Sequence, residues 1–101
     1  MAKKAVTVKL DKQRKLKYTF NAFCELEEAL GRPLASIKGN EFKMKDLRAL
    51  VWAGLLHESP GLTLEEVGDL IDKADSIEDV TDAVSRAIET ALGKKGDEPG
   101  K

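Results

Sequence analysis

The sequence predicts an α+β fold, mainly α, with an N-terminal antiparallel β-hairpin packed on a bundle of about four helices. Three observations lead there. Two short runs near the N-terminus alternate apolar and polar residues, the period of a half-buried strand. From about residue 21 the apolar spacing changes to the three-and-four pattern of amphipathic helices. The breaks Gly31-Arg32-Pro33 and Ser59-Pro60-Gly61 then cut the helical part into separate segments.

The hairpin is predicted over about 6–20. In "VTVKL" (6–10) Val6, Val8 and Leu10 fall on one face, and in "KLKYTF" (15–20) Leu16, Tyr18 and Phe20 do the same. "DKQR" lies between them without a glycine, which predicts a longer loop in place of a tight two-residue turn. A lone hairpin is marginal in water, so its apolar face must lie on another layer.

Asn21 is the expected N-cap of the first helix, predicted over about 22–30, because its side-chain oxygen can accept a first-turn N–H. Phe23, Leu26, Ala29 and Leu30 form the apolar stripe, while Glu25, Glu27 and Glu28 face outward. The early glutamates suit the helix dipole. Gly31 is the expected stop, and Pro33 forbids simple continuation. Residues 34–42 read as a connection with room for one helical turn. A helix over about 44–58 follows. Leu47, Leu50, Val51, Gly54 and Leu55 make one apolar stripe, and Ala49, Trp52, Ala53 and Leu56 a second. A helix apolar on two sides is buried on two sides, so this is the central helix.

Thr63 with Glu66 three residues on is a capping-box pattern, and Leu64, Val67, Leu70 and Ile71 follow at helical spacing, predicting a helix over about 64–73. Ser76 caps the last helix, about 77–92, with Asp79 at its third position. Ile77, Val80, Val84, Ala87, Ile88 and Ala91 form its stripe. Residues 1–92 are expected to be a single domain. Residues 93–101, "GKKGDEPGK", hold nothing to bury and are expected to be a disordered tail.

The 101 residues are 42% apolar and 35% charged, a soluble composition, and a chain this long buries roughly 65% of its unfolded surface without staples. No apolar run approaches the roughly 20 residues of a membrane span, and no secretory h-region follows the opening lysines. Cys24 is alone, which excludes an internal disulfide and suits a reducing cytoplasm. Charge is uneven. Residues 1–20 carry seven Lys or Arg against one acid, and the remainder carries ten against seventeen.

No constellation of residues carries chemistry. His57, Glu58 and Ser59 are consecutive and point in different directions, so they cannot form a hydrolase triad with one another. They are expected as late-turn and loop residues. Cys24 lacks the surroundings of a reactive thiol and is expected as a small buried hydrophobe. One Cys and one His cannot make a zinc site. Glu65, Asp69 and Asp72 share a helix face but lack the spacing of a calcium loop, and no phosphate loop is present. The expected catalytic, cofactor-binding and metal residues are therefore none, and the chain is expected not to be an enzyme. The basic hairpin (Lys9, Lys12, Arg14, Lys15, Lys17) is the one candidate nucleic-acid surface. The sequence pI of about 5.9 and the lack of stacking aromatics argue against that use.

"LKYTFNAFCELEEALGRPL" (16–34) and "LRALVWAGLLHESPGLTLEEVGDLID" (47–72) resemble a family of small tail proteins of long-tailed phages and gene transfer agents. The matching residues are Leu16, Phe20, Leu26, Glu27, Glu28 and Gly31. In the second block they are Leu50, Trp52, Ala53, Gly54, Leu55, His57, Pro60, Leu62, Thr63, Glu65 or Glu66, Val67 and Gly68. The resemblance covers residues 16–72 and not the last helix. It implies a non-enzymatic tail assembly chaperone of a phage or prophage, working in the host bacterial cytoplasm. Its implied partner is the tape measure protein or another tail protein, kept soluble until tube subunits polymerise around it. The family is also described as tail tube or minor tail protein, and that structural role is the first alternative. A small nucleic-acid-binding accessory protein is the second. In many phages a ribosomal frameshift near the end of the reading frame adds a C-terminal extension to such a protein, and the codons of residues 92–96 are where a slippery run would be sought here.

Helix-in-groove docking is the expected mode of binding. Trp52, Leu56, Phe42 and Met44 are the expected partner-binding residues, with core packing the competing role for Trp52. The hairpin edge is a further place where two copies could pair into a homo-oligomer.

Overall fold

The computed structural model describes residues 5–31, 33 and 43–92. The connection 34–42, Phe42 within it and the segment 93–101 lie outside the described residues. The elements follow the predicted order: β1 (Ala5–Lys9), β2 (Gln13–Lys17), α1 (Phe20–Leu30), α2 (Met44–Leu55), α3 (Leu64–Asp72) and α4 (Ile77–Leu92). The fold is α+β, mainly α, with a two-stranded antiparallel sheet at its N-terminus.

The hairpin is tighter than its sequence suggests. Gln13 and Arg14, expected in the loop, pair with Lys9 and Val8. Only Leu10, Asp11 and Lys12 separate the strands. The turn is held by the Leu10 N–H donating to Lys12 O at 2.9 Å. Arg14 also grips Asp11 through Nε at 2.8 Å and Nη2 at 3.0 Å. That two-pronged pair replaces the conformational freedom of a turn glycine. Val8, Leu10, Leu16 and Tyr18 are buried as their alternation requires.

The entry to α1 corrects two expectations. The N-cap is Thr19, whose Oγ1 accepts the Ala22 N–H at 3.0 Å, and not Asn21, which sits exposed in the first turn. The helix therefore begins at Phe20, which leaves the strand face of Leu16 and Tyr18 and is 81% exposed. No acid occupies this first turn, and Ala29 is exposed instead of buried. Phe23 stacks on Tyr18 with ring centroids 5.5 Å apart. Gly31 ends the helix at φ 74°, a left-handed conformation that a side chain would strain, and its N–H donates to Glu27 O at 2.9 Å.

α2 is the central helix. It packs against α1, α3, α4 and β2, and Leu47, Ala49, Leu50, Val51, Ala53, Gly54 and Leu55 are all buried. Its start is held by Asp46, whose Oδ2 accepts the Lys43 N–H at 3.3 Å. Its closest approach to the hairpin is at Gly54. A Cβ there would stand 2.8 Å from Leu16 Cδ2 and 3.0 Å from Tyr18 Cζ, so the glycine lets strand and helix touch. The Tyr18 hydroxyl donates to Leu50 O, one turn back along the same helix. Burial pushes this phenol far above its usual pKa, so it stays a neutral donor.

α2 ends at Leu55, three residues before the predicted limit of 58. The N–H groups of Glu58 and Ser59 both turn back to Leu55 O, at 3.0 and 2.9 Å. Pro60 disfavours helical geometry at Ser59, and the chain unwinds ahead of it. His57 and Glu58 thus belong to the corner rather than to the last helical turn.

At α3 the Thr63 Oγ1 accepts the Glu66 N–H at 3.1 Å, and Glu66 Oε1 accepts the Thr63 N–H at 3.0 Å. Ser76 Oγ accepts from the N–H groups of Glu78 and Asp79, at 3.1 and 3.4 Å, at the start of α4. Val80, Ala83, Val84 and Ala87 are buried, and α4 lies on β1 and β2. Ile77, expected on that stripe, is 42% exposed.

Candidate functional site

His57 Nε2 lies 2.9 Å from Lys15 O. A carbonyl can only accept, so this nitrogen carries the proton. The ring thereby ties the α2–α3 corner to β2 and is not hydrogen-bonded to Ser59. Cys24 is exposed on α1, which corrects its expected burial. Among the described residues no group of three or more His, Cys, Asp or Glu could hold a metal ion, and no helix is long and apolar enough to cross a membrane.

Two of the five basic residues of the hairpin hold acidic partners. Arg14 holds Asp11, and Lys9 Nζ reaches Asp75 at 3.4 Å. Asp79 and Asp82 line the same groove as Lys9 and Gln13. Arg86 lines it too, paired with Asp82 at 3.3 Å, so a phosphate approaching there would meet three carboxylates against two cations that both have acidic partners.

Leu56 and Met44, two of the residues expected to bind a partner, line different hollows. Trp52 is half-buried against the core, and its Nε1 donates to Leu62 O at 2.8 Å, clamping the connection between α2 and α3. Leu56 lines a separate hollow with His57, Thr19 and Ala22. Phe42 is outside the described residues. Met44 lines a groove formed by three helices.

That groove, of about 250 Å3, runs between the start of α2, the outer face of α3 and the first residue of α4. Met44, Leu47, Ile71 and Ile77 give it apolar walls, and Gly68 leaves its middle open. Three large apolar side chains are substantially exposed among the described residues, Phe20, Met44 and Ile77, and two of them meet here. Lys45 and Arg48 stand on the α2 side and Asp72 on the α3 side. The Arg48 stem runs beside Gly68, its Cδ 3.5 Å from where a Cβ would lie, an ordinary contact distance. Its Nε is sealed from solvent without a hydrogen-bond partner among the described residues.

Sequence reasoning found Met44 and missed Arg48, Gly68 and Ile77 as groove residues. Ile77 carried a signal, as the first member of a stripe before the cap geometry is complete. Arg48 carried none, since a lone arginine on a charged helix reads as solvated surface. Comparison of the chain with protein-family models, with curated proteins and with solved structures returns no match.

Proposed function

We propose that this chain is a non-enzymatic assembly chaperone for a phage-type tail, which shields an apolar helical segment of the tape measure protein in the groove between α2, α3 and the start of α4. The observation that carries the reading is the pairing of Met44, 65% exposed, with Ile77, 42% exposed, across one apolar trough. Exposed apolar residues clustered on a rigid frame are what a helix-in-groove site presents. The resemblance over residues 16–72 supplies the tail assignment, and those residues build α1, α2 and α3. Such a protein would act in the host bacterial cytoplasm.

A tail tube role is disfavoured by the shortness of the strands, five residues each, since stacked tubes are built from sheets. A nucleic-acid role is disfavoured by the acids beside Lys9.

Co-expression with neighbouring tail reading frames, followed by pull-down, tests the proposal. A long helical partner is expected to co-purify with the wild type. It is expected to be lost with Met44→Glu/Ile77→Glu, and retained by Leu56→Glu, each checked for wild-type circular dichroism. Retention of the partner by the double variant overturns the groove assignment. A salt-sensitive gel shift without any protein partner favours the nucleic-acid reading instead.

A further inference from the structure

From the unpaired guanidinium in the groove we infer that its partner helix is acidic at one position, and that Arg48 is the residue that receives the carboxylate. The inference rests on the docking reading above.

The arginines among the described residues are Arg14, Arg48 and Arg86. Arg14 pairs with Asp11 at 2.8 Å and Arg86 with Asp82 at 3.3 Å. Arg48 has no such acid, although Asp72 lines the same groove. Its Nε is sealed by the protein's own atoms without an acceptor among the described residues, so a ligand entering the groove is left the terminal Nη groups. A guanidinium that is half-buried, unpaired and set in an apolar groove is matched by one ligand chemistry above others, a carboxylate arriving in the plane of the fork.

The surroundings fix how the ligand lies. The Arg48 stem lies beside Gly68 on α3, its Cδ at contact distance from where a Cβ would stand, and Arg48 lines the groove from the α2 side. Lys45 adds a second positive charge on the α2 side, while Asp72 stands opposite on α3. An incoming helix therefore sets its apolar stripe on Met44, Ile71 and Ile77. Its acid faces α2, and a neutral or basic residue faces Asp72. An amphipathic helix with a carboxylate flanking the stripe satisfies all three conditions.

The test uses synthetic helical peptides of about 18 residues, some five turns. They share one Leu/Ala stripe and carry Glu, Gln or Lys at each position flanking it in turn. Each is titrated into the isotope-labelled full chain and followed by amide NMR. The expected result is movement of the Met44, Arg48, Gly68, Ile71 and Ile77 amides, with the best Glu peptide binding about tenfold tighter than its Gln counterpart. Arg48→Met, which keeps the stem volume, is expected to abolish that difference while leaving the Gln peptide's affinity in place. Equal binding of Glu and Gln peptides at these amides overturns the carboxylate inference and leaves the docking reading standing. Binding that moves only amides elsewhere overturns both. The Glu-to-Gln comparison is made on the wild-type chain, so it holds even where Arg48→Met fails to fold.

Discussion

Gly54→Ala is the most direct test of the packing between hairpin and central helix. In isolation the change favours α2, because alanine is better than glycine in a helix interior by about 1 kcal/mol. The site reverses the sign. The new methyl would lie 2.8 Å from Leu16 Cδ2, 3.0 Å from Tyr18 Cζ and 3.1 Å from Tyr18 Oη. Leu16 is fully buried and Tyr18 nearly so, and the Tyr18 hydroxyl is tied to Leu50 O, so neither side chain is free to swing away. Overpacking of this kind costs about 1–3 kcal/mol. Displacing the phenol from its acceptor leaves a buried donor unpaired, at about 1–3 kcal/mol more. Against the propensity gain, the expected net loss is about 1–5 kcal/mol. Gly68→Ala is the control. Its methyl would meet Arg48 Cδ at 3.5 Å, an ordinary contact, so the propensity gain of roughly 0.5–1 kcal/mol should survive. Urea unfolding followed by circular dichroism and by Trp52 fluorescence measures both, with coincident curves and an unchanged m-value required. A Gly54→Ala protein as stable as the wild type, beside a normally behaved Gly68→Ala, refutes the close approach.

Two further expectations follow from side chains at the corner and the turn. Trp52→Ala should cost about 3 kcal/mol through lost packing, and Trp52→Phe about 1 kcal/mol through the lost bond to Leu62 O, both read by thermal or urea unfolding. Full stability of Trp52→Ala would mean that the ring does not pack on the core. The Arg14 hydrogen bonds, and then its charge, hold the Asp11 carboxyl down from 3.8 to about 2. A depressed folded pKa means the pair's contribution is complete above about 3.8 and fades as pH falls towards 2. NMR titration should find that low midpoint, and Asp11→Asn should remove this part of the acid dependence of stability.

Much of the architecture was legible because period and punctuation agreed. The Thr63–Glu66 box and the Ser76 cap each placed a helix start within one residue. The entry to α1 was misread for a physical reason. Phe20 continues the alternation of Leu16 and Tyr18, so pattern alone extends the strand through it, whereas the Thr19 hydroxyl bond to the Ala22 N–H starts the helix there. The end of α2 was overrun because His57 and Glu58 are acceptable helix residues, and only the backbone restriction imposed by Pro60 unwinds them. The groove was the least legible feature. Met44, Gly68, Ile71 and Ile77 come from three helices, and no spacing along the chain reports how those helices lean together.

The contact of α4 with β1 has a consequence for how the chain matures. Val8, Leu10 and Leu16 of the hairpin leave the ribosome well before the α4 stripe from Val80 to Ala87, and α4 packs on both strands. A growing chain that has reached only the α2–α3 corner can cover Leu16 and Tyr18 with α2 but still lacks the helix that packs on β1, a part-shielded state open to aggregation or to capture by cellular chaperones. Closure waits for loop entropy to be overcome across most of the described sequence, which slows folding relative to a bundle of local helix pairs. Strand β1 gains its helical cover only when α4, at the far end of the described residues, folds back onto it.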